Sequence, residues 1–134
     1  MSNTTDCVFC KEIGTGENFF ADDSLFSARK DQFPVSPGHA EIIPKRHIQY
    51  FDELTDEELS HILIFAKEVM QQIRDELPTK PDAFNIAIND GPEAGQTVFH
   101  LHLHLIPRYK GDVENPKGGI RRIFPNDEYS NRKA

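Results

Sequence analysis

The stretch of sequence that most constrains the fold is residues 100–105, where histidine and leucine alternate as HLHLHL. Successive side chains of a β-strand point to opposite faces of the sheet, so this alternation predicts a strand, placed at residues 98–106. Its leucines are expected to pack in the core under a helix, and its histidines to form a row on the other face. A solvated strand face normally carries threonine, lysine or glutamate. The row therefore indicates a functional surface, with a chance polar face as the alternative.

A single long amphipathic helix is predicted at residues 56–77. Thr55 and Glu58 have the spacing of a capping box, in which each side chain accepts a hydrogen bond from the other residue's backbone N–H. Pro78 ends the helix because proline has no N–H to donate. Apolar residues recur at helical spacing and define the face expected to cover the sheet: Leu59, Ile62, Leu63, Ala66, Val69, Met70, Ile73 and Leu77.

Three further strands are predicted from short apolar runs bounded by turn residues, at 24–30, 39–43 and 83–88. A short helical turn is expected at residues 7–13. One helix packed on a mostly antiparallel sheet belongs to the α+β class. After Gly111 the chain becomes polar and rich in glycine and proline, with one apolar pair at Ile123 and Phe124. An extended tail that pairs with another subunit is therefore expected there.

Length and charge restrict the kind of protein this is. The 134 residues suffice for one core, so residues 1–134 are predicted to form one domain, with a core at about 6–108 and an extension at 111–134. The formal net charge of −7 disfavours non-specific binding to nucleic acid or to a membrane surface. No apolar run is long enough to span a bilayer, and the N-terminus lacks the basic and apolar regions of a signal peptide. A cytoplasmic location is therefore expected.

Two chemical roles fit a row of three histidines. Neighbouring histidines can share a zinc ion, although three in line are poorly arranged for tetrahedral coordination. Alternatively the row is catalytic, because imidazole is a nucleophile and a proton carrier near neutral pH. The turn that precedes it, residues 89–97, contains two glycines and several polar donors, and such turns can bind anions through backbone N–H groups. The turn favours catalysis on a phosphate, with a plain hairpin loop as the alternative.

The sequence resembles the histidine-triad (HIT) family of nucleotide hydrolases and transferases. The family motif His-φ-His-φ-His-φ-φ, where φ is apolar, occurs without departure at residues 100–106. Residues 95–98 match the part that precedes it, with Thr97 where many members have serine, and the similarity includes residues 36–47 and 7–10. The resemblance implies a five-stranded, mostly antiparallel sheet with one long helix and a short N-terminal helix. It also implies a homodimer in which the sheet continues into the second subunit.

The resemblance further implies hydrolysis of a purine nucleoside 5'-monophosphate ester, phosphoramidate or dinucleoside polyphosphate. His102 would attack the α-phosphorus and form a covalent nucleotidyl-histidine, which water then hydrolyses. His104 and Thr97 would contact the phosphate oxygens and the leaving group, where charge develops. His100 completes the catalytic set. His39 matches the family's fourth histidine, with an ordinary strand-end histidine as the alternative.

Other positions match substrate contacts of the family. Asp31 corresponds to the residue that would bind the ribose hydroxyls, and Asn89 to an asparagine that contacts phosphate. Phe9 and Ile13 would flank the purine, with ordinary core packing as the alternative. The complete set of expected substrate contacts is Asp31, Asn89, Gly95, Gln96, Thr97, Phe9 and Ile13.

Cys7 and Cys10 form a Cys-x-x-Cys pair, a spacing typical of zinc ligands. Some bacterial members of the family carry a Cys2His2 structural site, and the resemblance supplies His47 and His100 as the two remaining ligands. A redox pair and two unligated thiols are the alternatives, and redox chemistry is disfavoured because no thioredoxin-like βαβ pattern surrounds the cysteines. Structural Zn²⁺ is therefore the one cofactor expected, and none is expected for catalysis.

Two functions without turnover are alternatives to a hydrolase. One is a nucleotide-binding regulatory or scaffold protein, which would not need a complete triad. The other is a histidine-rich metal-binding module, which would not depend on His102 in particular. Within the enzyme hypothesis, phosphoramidates and dinucleoside polyphosphates are both open as substrates. Arg108 and Lys110 either meet a longer polyphosphate or belong to a solvated loop.

Overall fold

Residues 6–131 are described by the structure, which is a computed structural model. Five strands form one antiparallel sheet in the order β1-β2-β3-β5-β4. The strands are β1 (Phe19–Asp22), β2 (Phe26–Lys30), β3 (Ala40–Pro44), β4 (Ala83–Ile88) and β5 (Leu103–Arg108). The helices are α1 (Val8–Thr15), α2 (Asp56–Glu76) and α3 (Glu128–Asn131), with 3-10 turns at Phe51–Glu53, Pro92–Ala94 and Gly119–Ile123. The α+β class and the five-stranded antiparallel sheet are confirmed.

The predicted single domain includes residues 1–5 and 132–134, which lie outside the described part of the chain. Within residues 6–131, no helix combines the length and the apolar character that crossing a membrane requires.

Helix α2 begins and ends where the sequence predicts, within one residue. The capping box is present, because Thr55 accepts from the N–H of Glu58 and Glu58 accepts from the N–H of Thr55. The buried face differs in part from the predicted one, since Leu59 and Leu63 are exposed and Phe65 is buried. The buried stripe overlaps the predicted one at four positions and includes Phe65 in place of Leu59 and Leu63; its buried apolar members are Ile62, Phe65, Ala66, Val69 and Ile73.

The main core lies between α2 and the sheet. Leu101, Leu103 and Leu105 are buried there, as the alternation predicts. The strand itself is shorter than predicted, because β5 begins at Leu103 and leaves His100 and His102 before it. At this point the carbonyl of Pro44 pairs with the ring of His100 instead of with backbone, so the β3–β5 ladder stops at Ile42 and Leu103.

Two other expectations are corrected. Strand β1, at the edge of the sheet, has no counterpart among the four strands predicted from the residues. The extended tail is also wrong, because the extension contains a 3-10 helix and α3, and its apolar pair Ile123 and Phe124 is exposed. Instead, Ser130 is buried against Gly118, where φ is 87° and a Cβ would lie 2.8 Å from that of Ser130. Only glycine permits this close contact.

Candidate functional site

His100 lies at the closed end of the histidine motif and is fully buried. Its Nε2 donates to the carbonyl of Pro44 at 2.7 Å, so its Nδ1 carries the lone pair. This Nδ1 lies 3.5 Å from the sulfur atoms of both Cys7 and Cys10, and 3.2 Å from Nδ1 of His47. The first histidine of the motif is therefore directed into a buried cluster of sulfur and nitrogen atoms.

The cluster has the composition of a structural zinc site. One ligand atom from each of Cys7, Cys10, His47 and His100 lies within 4.8 Å of the others. Two sulfurs and two imidazole nitrogens are a common tetrahedral donor set for Zn²⁺. The bond from His100 to a backbone carbonyl is the usual outer contact of a metal-binding histidine, because it fixes the tautomer. Burial lowers the pKa of His100 to about 4, which keeps its ring neutral and able to ligate.

His102 has the opposite tautomer. Its Nδ1 donates to the carbonyl of His100 at 2.8 Å, which leaves the lone pair on Nε2. Burial lowers the pKa of His102, so the ring is neutral at neutral pH. Nε2 lies 3.7 Å from Oε2 of Glu41 on the neighbouring strand. The middle histidine therefore presents an oriented, unprotonated nitrogen, as a nucleophile requires.

A buried charge network lies beneath His102. Arg29 on β2 pairs with Glu12 of α1 at 2.8 Å and with Glu41 of β3. Burial, aided by the charge of Asp31, raises the pKa of Glu41 to about 7, and Arg29 opposes this rise. The network ties α1 to β3, which carries Glu41 beside His102.

Phe9 belongs to a second, smaller core cluster, and Ile13 is partly buried against that cluster and also lines a surface pocket. Phe9 is 3% exposed, the guanidinium of Arg29 lies 4.6 Å from its ring centroid, and the ring of His102 packs edge-on at 5.2 Å. In this structure its ring therefore packs against protein side chains where the sequence analysis expects a purine.

His104 lies at the open end of the motif, on β5. The N–H of Val35 donates to Nδ1 of His39 at 3.2 Å, so neutral His39 carries its hydrogen on Nε2. That Nε2 lies 2.9 Å from Nδ1 of His104 and donates to it, which places the hydrogen of His104 on Nε2. Burial lowers the pKa of His104 to about 4. The third histidine is thus a neutral donor, and Asp31 lies 3.4 Å from His39 and 4.0 Å from His104.

The turn before the motif depends on two glycines and one side chain. Gly91 and Gly95 have φ values of 100° and 98°, which other residues rarely adopt. The side chain of Gln96 accepts from the N–H of Gly91 and donates to the carbonyls of Gln49 and Val98. Gln96 therefore supports the turn internally. The N–H groups of Gly95 and Gln96 also donate within the turn, to Pro92 and Gly91.

The structure brings together some of the expected substrate contacts and separates others. Asn89 lines a groove together with His39 and His104. Thr97 is exposed on a different, smaller cavity, beside Cys7 and His47. The open end therefore gathers Asp31, His39, Asn89 and His104, while Thr97 lies on the side of the cluster of Cys7, Cys10, His47 and His100.

The motif, its turn and the sheet that carries them correspond to a known domain. The model of the HIT domain family matches residues 15–111. The chain belongs to the HIT family. A HIT protein of Bacillus anthracis is 40% identical in sequence, with a TM-score of 0.72 over 80% of this chain and 76% of that one.

Two other HIT relatives bear on the site. A zinc-bound histidine triad protein of Mycobacterium smegmatis is 34% identical, with a TM-score of 0.73 over 82% of this chain and 80% of that one. The bis(5'-adenosyl)-triphosphatase of Dictyostelium discoideum is 38% identical over 103 residues, which are 77% of this chain and 67% of that protein. The HIT family thus includes hydrolases of dinucleoside polyphosphates.

The buried network of Glu12, Arg29 and Glu41 is the part of the site that the sequence analysis missed. A signal for it exists, because Glu41 interrupts the otherwise apolar strand AEIIP and Arg29 occupies a strand that is buried up to that residue. Charged residues are almost never fully buried unless they are paired. Two such residues on adjacent strands therefore indicate an ion pair near the motif.

Proposed function

We propose that this HIT protein hydrolyses a purine nucleoside 5'-monophosphate conjugate at the α-phosphorus, through a covalent nucleotidyl-histidine on His102. The conjugate is an ester, a phosphoramidate or a dinucleoside polyphosphate, and the product is the nucleoside monophosphate. The observation that carries this proposal is the tautomer of His102, whose Nδ1 is held by the carbonyl of His100 at 2.8 Å while Nε2 keeps its lone pair. The related triphosphatase supports the substrate class.

The reaction divides into two displacements. In the first, Nε2 of His102 forms a bond to phosphorus as the bond to the leaving group breaks, and the leaving atom takes up one proton. In the second, water attacks phosphorus, the bond to Nε2 breaks with its electron pair returning to His102, and one proton is released. Solvent supplies the first proton and accepts the second. The Nε2–H of neutral His104 donates a hydrogen bond to the leaving atom, where charge develops, and His39 holds His104 in the tautomer that this donation requires. Asp31 binds the ribose hydroxyls and Asn89 a phosphate oxygen.

The test is AMP release from adenosine phosphoramidate and from a diadenosine polyphosphate, by the native protein and by His102→Ala. Removing a nucleophile of this kind lowers kcat by about 10⁴-fold or more. His61→Ala is the matched control, because His61 lies on the surface of α2 with Nδ1 near the carbonyl of Glu57, and this variant should retain native rates. Labelled nucleotide trapped on native protein but not on His102→Ala identifies the intermediate.

A second result would select the main alternative. Native protein that binds AMP but releases none from either substrate contradicts the hydrolase and favours a nucleotide-binding regulatory protein. Equal loss of activity in His102→Ala and His61→Ala would contradict the assigned nucleophile.

A structural zinc ion held by Cys7, Cys10, His47 and His100 is part of the proposal. The donor set of the cluster and the zinc-bound relative support it. The ion would link the start of α1 to the residue before the nucleophile, and its role would be to fix His100 and the carbonyl that orients His102. Catalysis itself needs no metal.

A homodimer is the remaining part of the proposal. Strand β4 is at an edge of the sheet, and exposed apolar side chains line a shallow cavity of about 280 Å³ between it and α2: Phe51, Leu59, Leu63 and Ile86. An edge strand with an adjacent apolar surface is suited to pairing with a second copy. Sedimentation equilibrium measures the oligomeric state directly, and a monomer at micromolar concentration would contradict the homodimer.

A further inference from the structure

A long groove extends from His104 along the face of β4 and β5 that is turned away from α2. Its volume is about 1000 Å³. The floor consists of alternate residues of the two strands and of the position that follows β4: Asn85, Ala87, Asn89, His104, Ile106 and Arg108. Because side chains alternate along a strand, these residues share one face, opposite the leucines that pack under α2. The groove therefore begins at the proposed catalytic histidine.

The outer wall of the groove is formed by residues 113–123, named here the C-terminal wall. Gly119 approaches β4 so closely that a Cβ there would lie 3.4 Å from Nδ2 of Asn85. Arg122 donates to the carbonyls of Lys117 and Ser130, which ties the wall to α3. The wall is thus packed against the groove by specific contacts, and it lies outside the residues that match the HIT domain.

The groove is lined by large apolar side chains that are otherwise exposed. Val35 is 73% exposed and Ile123 79%, and Val113 and Ile120 are also exposed. Single exposed apolar residues are ordinary, but four that converge on one groove mark a binding site. Two arginines line the groove: Arg108 is paired with Asp112 at 2.8 Å, and Arg122 donates to the carbonyls of Lys117 and Ser130. The carboxylates of Asp112 and Glu114 line it as well, so the groove offers no net positive charge to additional phosphates.

The direction of the displacement assigns the half of the substrate that enters the groove. In phosphoryl transfer the attacking and leaving atoms are roughly in line with phosphorus. A leaving group that departs from Nε2 of His102 toward the neighbouring His104 would enter the groove, whose floor continues to Ile106, while Asp31, which would hold the ribose, does not line the groove. We infer that the groove binds a bulky apolar leaving group, so that the preferred substrate is a nucleoside monophosphate joined to a large apolar amine or alcohol. This inference rests on the proposed function.

The test compares two AMP phosphoramidates whose leaving groups are methylamine and 2-phenylethylamine. Each is converted with one water into AMP and the free amine, so only the size of the apolar group differs. The native protein is expected to prefer the phenylethyl compound in kcat/KM by about 10-fold or more, the range for apolar pocket contacts. Ile123→Ser should reduce this preference about 3- to 10-fold, with the methyl compound unchanged. Phe124→Ser is the matched control, because Phe124 is 72% exposed, adjacent, and does not line the groove.

A binding experiment separates failure of this inference from failure of the proposed function. Calorimetry with His102→Ala measures the intact amides without turnover. Tighter binding of the phenylethyl compound, lost when Ile123→Ser is added, supports the groove even if hydrolysis is slow. If the protein binds AMP but binds the two amides with equal affinity, the inference about the groove is overturned and the proposed function is not. If Ile123→Ser weakens the binding of AMP itself, the groove holds the nucleoside. If the substitution changes only the sedimentation coefficient, the C-terminal wall contacts a second subunit. Either result overturns the assignment.

Discussion

His100 and His104 occupy equivalent positions in one alternating motif, but their surroundings differ in almost every respect. His100 is fully buried, and its Nδ1 faces two thiols and the ring of His47. His104 is half-buried and lines an open groove. The difference arises where the β3–β5 ladder ends. His104 is paired in register with Glu41, while His100 lies beyond the last pair and its ring bonds to the carbonyl of Pro44.

The hydrogen-bond partners of the ring nitrogens, rather than the residue type, determine which chemistry each histidine is suited to. Because Nε2 of His100 donates to a backbone carbonyl, its Nδ1 is suited to bind a metal. Because Nδ1 of His102 donates to a backbone carbonyl, its Nε2 is suited to attack phosphorus. Because Nδ1 of His104 accepts from the neighbouring imidazole of His39, its Nε2 is a hydrogen-bond donor. Three positions of one motif are therefore suited to three different chemical roles, and each proposed role can be tested separately.

The largest effect is expected at the closed end, on removal of metal. Structural zinc contributes about 10–16 kcal/mol in peptides that fold only around it. A domain with its own core needs the ion less, so chelation is expected to lower the free energy of unfolding by about 5 kcal/mol. Urea unfolding with and without a chelator, together with the zinc content per chain, measures this.

Two variants sharpen the assignment. Cys10→Ser should be insensitive to the chelator, because the cluster loses one of its four ligands, whereas His104→Ala should respond like the parent protein. Purified protein without zinc, or an unchanged urea midpoint, would show that the four residues form a metal-free cluster.

A smaller effect is expected at Glu41 of β3, which lies 3.7 Å from His102, the middle histidine of the motif. Its pKa of about 7 in the folded protein exceeds the ordinary 4.5, so between these values the folded state binds more protons than the unfolded state. The contribution of Glu41 to stability must then decline as pH rises through this window, by up to about 3 kcal/mol for a shift of this size. The buried histidines, whose pKa values are lowered, contribute the opposite trend over the same range, so the decline is measured as the difference between the parent protein and Glu41→Gln in urea titrations from pH 4 to 8.

Glu58 provides the control of opposite sign. Its pKa is lowered, first by the hydrogen bond from Arg46, so its contribution to stability is lost as pH falls. Glu58→Gln should leave the decline above pH 4.5 in place. A parent protein and a Glu41→Gln variant with the same pH dependence would contradict the buried, proton-binding state of Glu41.

The sequence predicts the repetitive parts of the fold well and the local exceptions poorly. The 3.6-residue period locates α2 and the two-residue period locates the buried leucines, because those positions bury apolar side chains in a regular order. A short apolar run bounded by turn residues locates β4. Periodicity could not show that β5 starts only at Leu103, since that depends on a bond between His100 and a distant carbonyl. The Cys-x-x-Cys spacing supplied two ligands of the cluster and the resemblance supplied the other two, and the fold brings all four together. Neither indicated the wall of residues 113–123, which lies beyond the matched domain.

The smallest of the three effects is expected at the open end, at His39. His39→Leu removes the donor to Nδ1 of His104, so the tautomer that directs the Nε2–H of His104 at the leaving atom is no longer fixed. Removing a whole hydrogen-bond donor to developing charge costs about 10²–10³-fold in kcat, and loss of its orientation alone is expected to lower kcat about 10–100-fold. His39→Gln keeps an N–H near the position of Nε2 and should recover most of the rate. The deficit should shrink for the p-nitrophenyl ester of AMP, whose leaving group departs without a proton. If His39→Leu slows the hydrolysis of both substrates equally and His39→Gln restores no rate, His39 serves only the packing of β3. The proposed role of its hydrogen bond to His104 is then wrong.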